Sequence, residues 1–145
     1  STGFKKGDVI NIGGVKIDVL MPLDDEIIIS KDMLNSNSCI YLLSKNSNNY
    51  LFMGDSTIET ENKLVKSISK KEEEKLKNLT AIQIGHHGSK TSSSELFIKS
   101  INPCVAVISS KKEKFNHPNK EVIDILQKYK FNIKVTEKCG AIKLK

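Results

Sequence analysis

The chain has no tryptophan and no arginine, so all 23 of its basic residues are lysines. Surfaces built to grip phosphates in pairs use the planar guanidinium fork. A dedicated arginine-lined nucleic-acid interface is therefore excluded, although the formal net charge of +6 leaves room for lysine-borne attraction to polyanions. Asparagine is abundant (Asn35, Asn37, Asn46, Asn48 and Asn49), and lysine plus asparagine without arginine is what an AT-rich coding sequence produces. Charge alone thus names no partner. No apolar run approaches the roughly 20 residues of a membrane span, and no signal-peptide core opens the chain, so this segment is expected to make no membrane contact of its own. The three cysteines, Cys39, Cys104 and Cys139, are odd in number and widely spaced, which argues against a disulfide framework; they read as buried free thiols. Neither a Gly-x-Ser-x-Gly elbow nor a Walker-type phosphate loop is present.

Histidine is scarce, with three in 145 residues, and two stand side by side in Ile84-Gly85-His86-His87-Gly88-Ser89-Lys90-Thr91-Ser92-Ser93. The apolar run Ala81, Ile82, Ile84 ends here in a polar loop, and imidazoles at a strand end suit a metal or acid-base site. In an extended backbone the two rings would point to opposite sides, leaving one as ligand and the other as support. Ser92 with Glu95 fits a capping box opening a helix through Leu96, Phe97 and Ile101. A loop ending on a helix N-terminus, with Ser89, Lys90, Thr91 and Ser92 beside it, suits a phosphate.

Before this loop the chain reads as strands. Asp8–Ile12 and Val15–Leu20 flank Gly13-Gly14, a hairpin signal. Residues 23–37 read as a loop or flap with an acidic cluster at Asp24, Asp25, Glu26 and Asp32. Cys39–Leu43 and Tyr50–Met53 flank an Asn-rich turn. Ser56 with Glu59 suggests a second capping box, leading a helix whose buried stripe is Leu64, Val65 and Ile68. A charged surface helix over Ser69–Leu79 follows. Beyond the histidine loop, Cys104–Ile108 is continuously apolar, as for a strand covered on both faces. Pro118 is placed to be the first residue of a helix with Val122, Ile123, Leu126 and Tyr129 inward, and Ile133–Val135 with Ala141–Leu144 read as a closing hairpin. The expectation is one domain over 1–145 of mixed α/β class, a mixed β-sheet with helices on one face.

Asp55, the pair His86 and His87, and His117 all fall at strand-to-helix junctions, which in such sheets converge on one crevice. Asp55 reads either as a turn residue or as a metal-bridging carboxylate. His117 is divided between helix capping and site. An Asp55, His86, Ser94 triad can be assembled, but nothing singles out Ser94 as a nucleophile.

Gly54-Asp55, the Gly-His-His-Gly-Ser-Lys-Thr-Ser-Ser loop, Asn116-His117-Pro118 and the closing Cys139-Gly140-Ala141-Ile142 together resemble the metallo-β-lactamase-like domain of the ComEC family of competence proteins, from about Asp8 onward. The resemblance implies half of a four-layer αββα sandwich with a dinuclear site of zinc or manganese. Asp55 would be the bridging carboxylate, His86 or His87 the last histidine ligand, and His117 a group near the substrate. Phosphodiester hydrolysis of DNA during uptake would follow, outside the cytoplasm on a bacterial membrane protein or in a secreted enzyme. The superfamily's His-x-His-x-Asp-His run is missing, and Asn35 and Asn37 stand where its middle histidine is sought. The expected partners are accordingly an N-terminal half of the same domain, DNA, and a second copy meeting an exposed apolar sheet face. The competing expectation is a non-catalytic basic module gripping nucleic acid through Lys90, Lys111, Lys112 and Lys114.

Overall fold

Two glycines with positive φ, Gly13 and Gly14, turn the chain between β1 (Val9–Ile12) and β2 (Val15–Met21), which pair antiparallel with Ile12 opposite Val15. A second tight turn at Asn46 and Ser47, both left-handed, joins β3 (Ile40–Lys45) to β4 (Asn48–Phe52). Asn tolerates that conformation and fits the primed turn that matches strand twist. The computed structural model describes residues 3–23, 38–110 and 116–144. The acidic cluster, Asn35, Asn37 and the lysines 111, 112 and 114 lie outside them.

After β4 the connections become helical and the pairing parallel. Helices α1 (Ile58–Ser67) and α2 (Lys70–Leu76) lead to β5 (Ala81–Gln83). A 3-10 turn (Gly85–Gly88) and α3 (Glu95–Ser100) lead to β6 (Val105–Ile108). Helix α4 (Lys120–Lys128) leads to β7 (Asn132–Val135), and a single turn, α5 (Thr136–Cys139), follows. The seven strands of the described residues lie in sequence order, β1 to β4 antiparallel and β4 to β7 parallel. This is the mixed α/β sheet expected, with its helices on one face.

That arrangement leaves the two faces of the sheet unequal. Across the strands, Leu42, Leu51, Ile82 and Ala106 sit in register on the helical side, each no more than 1% exposed. Leu64 of α1, Leu76 of α2, Phe97 and Ile98 of α3, and Val122 and Leu126 of α4 close over them. The opposite face carries Ile10, Ile17, Tyr41, Leu43 and Phe52, which with Phe4 line a shallow apolar groove. Phe4 and Phe52 are 51% and 42% exposed.

Several local expectations are corrected. The N-cap of α3 is Ser94, whose hydroxyl accepts from Phe97 N, so the Ser92–Glu95 box does not form. Glu95 instead bonds Lys128 and Tyr129 of α4. Helix α1 is capped at Thr57 without a side-chain bond, and Ser56 is buried beneath it. The reciprocal box forms at Ser69 and Glu72 of α2. Pro118 precedes the cap Asn119 of α4 rather than opening the helix. Residues 141–144 form no strand, because the chain turns at α5 immediately after β7. Strand β6 alternates half-buried and buried residues, since helices cover one face only. All three cysteines are free thiols, but Cys139 is exposed and Cys104 and Cys39 are only partly covered.

Candidate metal and acid-base site

Three loops leave the same end of the sheet, after β4, β5 and β6. Gly54, at φ +56, breaks β4 and presents Asp55; the Gln83 side chain of β5 accepts from both Met53 N and Gly54 N at 3.0 Å, tying the two strand ends together. His86 N donates to Gly54 O at 2.9 Å, which brings the histidine loop over Asp55.

The backbone of that loop is not extended. His86 (φ 46, ψ 43) and His87 (φ 56, ψ 25) are both left-handed, a rare state for residues with a Cβ that persists only where the surroundings over-determine it. The expectation that the rings diverge to opposite sides therefore does not apply. They stand 6.4 Å apart between centroids, and the His117 ring lies 6.2 Å from that of His86, edge on. With the Asp55–His87 contact described below, Asp55, His86, His87 and His117 thus cluster at this end of the sheet.

The loop is held from beneath. Ser92 Oγ donates toward the carbonyls of Gly85 and Ser89, both at 2.9 Å, so this hydroxyl is turned inward and buried. Ser89 Oγ is half-committed to Thr91, by contacts of 3.1 Å to its hydroxyl and 3.3 Å from its N–H. Glu61 of α1, 1% exposed, accepts from Ser93 N at 2.5 Å and Ser94 N at 2.8 Å. Burial pushes its carboxyl above the usual range, and those two N–H donors oppose the rise. Neither Glu61 nor the Ser109 carbonyl was foreseen. A charge three residues before Leu64, on the buried stripe of α1, was the available signal for Glu61.

The hydrogen bonding of His87 fixes what it offers. Its Nδ1 is 2.7 Å from Ser109 O, which can only accept, so Nδ1 carries a proton and Nε2 is the nitrogen left for another partner. That Nε2 faces Asp55 Oδ1 at 3.4 Å. A lone pair and a carboxylate oxygen so placed repel unless a proton or cation lies with them. Imidazole nitrogen plus carboxylate, with the second ring nitrogen anchored on a backbone carbonyl, is the donor chemistry of zinc and manganese sites. The pair could supply two of the donors such an ion needs. Among the described residues no group of three or more His, Cys, Asp and Glu side chains is arranged to hold one, so the pair falls short of the three protein ligands of a catalytic zinc.

His86 Nδ1 contacts Thr91 Oγ1 at 3.1 Å, which leaves its Nε2 without a role in holding the loop. His117 is held below the ordinary imidazole range, first by burial and then by repulsion from His86 and His87. Lys90 and Thr91 are exposed on the outer side of the loop.

No protein-family model matches the chain. It is 32% identical over 111 residues to recombination protein 2 of Haemophilus influenzae, an alignment covering 76% of this chain and 13% of that protein. It is 29% identical over 139 residues to ComE operon protein 3 of Bacillus subtilis, covering 95% of this chain and 17% of that protein. The chain therefore spans less than a fifth of the length of these two relatives. Among the described residues no helix is long and apolar enough to cross a membrane.

Proposed function

We propose that these residues form part of a metal-dependent phosphodiesterase of metallo-β-lactamase type, acting on DNA during uptake at the outer face of a bacterial membrane or in a secreted enzyme. The observation that carries the reading is the pairing of Asp55 with a His87 whose Nδ1 proton is committed to Ser109 O. One relative is named a recombination protein and the other a ComE operon protein, which supports a role in handling DNA and makes a DNA phosphodiester the favoured substrate. Two divalent ions, zinc or manganese, are proposed, with Asp55 and His87 holding one side of the site and further donors supplied from beyond the described residues.

When bound, such ions would supply Lewis acidity and lower the pKa of water. The chain's own groups do the rest. Asp55 and His87 provide the anionic and imidazole donors. His86, turned by Thr91, points its Nε2 at the phosphodiester. His117, its ring 6.2 Å from that of His86, is placed to take up a proton and return it at the leaving oxygen. Lys90 adds positive charge at the loop's outer edge. The bare apolar sheet face supports the sandwich reading, since a second layer would cover it.

The test is manganese titration followed by histidine resonances. Paramagnetic broadening should reach His87 first, should be weak for this chain alone, and should vanish in Asp55→Ala. In a full-length protein the same substitution should abolish DNA hydrolysis. Unchanged hydrolysis would instead favour the non-catalytic lysine module.

A further inference from the structure

At His117 a pocket of about 400 Å³ opens between α4, β7 and the α5 turn. Its floor is apolar, formed by Ile123 and Ile133 with Val135. Its polar lining is two side-chain amides, those of Asn116 and Gln127, the carboxylate of Glu137 and the ammonium of Lys138. We propose that this pocket takes one nucleobase of a single-stranded substrate, the base next to the phosphodiester held at His86 and His87. The proposal rests on the phosphodiesterase reading above and adds a recognition site to it.

The chemistry matches on each surface. A base has flat apolar faces and a hydrogen-bonding edge. The aliphatic floor covers the faces, while amides, which both donate and accept, suit an edge of either polarity. Lys138 stands where the neighbouring phosphate of the strand would pass. The volume admits one nucleoside with its phosphate and not a base pair with two backbones, so the base must enter unpaired, most directly from a single strand. His117 forms the shared wall: it lines the pocket, and its ring is 6.2 Å from that of His86.

The exposed thiol of Cys139 also lines the pocket and gives a direct readout. Cys104 does not compete, because burial pushes its thiol up to about 12. Alkylation of Cys139 by iodoacetamide, followed by peptide mass, should be slowed about tenfold by saturating thymidine 5′-monophosphate and left unchanged by deoxyribose 5-phosphate, which has no base. Gln127→Ala should raise the half-protecting concentration about tenfold, the loss of one good pair of hydrogen bonds to a base edge, and Lys138→Ala should raise it with less effect. Equal protection by the base-free sugar phosphate, or none by the nucleotide, would overturn the proposal. Protection with DNA hydrolysis indifferent to Asp55→Ala would leave the pocket standing and sink the phosphodiesterase reading alone; the reverse pattern would sink the pocket alone.

Discussion

The two faces of the sheet are built from the same strands and differ in what covers them. Leu42 faces the helices and is fully buried, whereas its neighbours Tyr41 and Leu43 face the other way and stay half-exposed. Both faces are apolar. A β-strand alternates its side chains regardless of what waits on either side, so the sequence dresses the second face for contact although no helix of the described chain reaches it. Stability is concentrated on one side, and unsatisfied apolar area on the other.

The largest way to break this contrast is at its buried side. Ile82→Ala or Leu42→Ala should lower the unfolding free energy by roughly 2–5 kcal/mol in urea titrations, while Leu43→Ala should cost less than about 1 kcal/mol. Equal losses on the two faces would mean that the bare face is covered in solution.

Next is Glu61, a charge placed on the covered side. Removing the carboxylate in Glu61→Ala strands the N–H groups of Ser93 and Ser94, and should cost about 2–3 kcal/mol while speeding amide exchange at those two residues. Unchanged exchange would show that the loop does not depend on Glu61.

On the bare side the expected change is in association. The chain should self-associate in light scattering, and Leu43→Lys with Phe52→Lys should return it to a monomer with little change in thermal midpoint. A monodisperse monomer before substitution would contradict this.

The smallest effect concerns pH. His117 has its pKa lowered on folding, so its contribution to stability is present above the ordinary imidazole value and is lost as pH falls through the lower folded value. The thermal midpoint of the metal-free chain should therefore fall on acidification below about pH 6.5, and His117→Gln should flatten that slope. An identical slope in the variant would assign it elsewhere.

The fold was legible wherever periodicity and turn chemistry spoke together. Gly13-Gly14 placed the first hairpin, and the stripe of Val122, Ile123 and Leu126 placed α4. Capping was less so: serines at 56, 69, 92, 93 and 94 are chemically equivalent in sequence, and burial selects Ser69 and Ser94 as the caps. The end of the chain misled because Ala141–Ile142 has strand composition, yet a helical turn at Thr136–Cys139 stands where a hairpin turn was expected and residues 141–144 do not pair with the open edge of β7. At the site, the residue types that matter were visible as isolated histidines and an aspartate after glycine. Their relation was not, because it depends on left-handed backbone at His86 and His87 and on the carbonyl of Ser109, which side-chain identity does not encode.

Gly88 does more than turn the loop. An ideal Cβ there would stand 2.8 Å from Pro118 Cβ, and Gly88 O accepts from Asn119 N at 2.9 Å. The gap between the His86 and His117 rings is thus fixed by the missing methyl of a residue that need never meet a ligand. A small side chain at 88 would wedge the third loop outward and widen the aperture with both histidines intact, giving evolution a way to retune reach without touching the reactive groups.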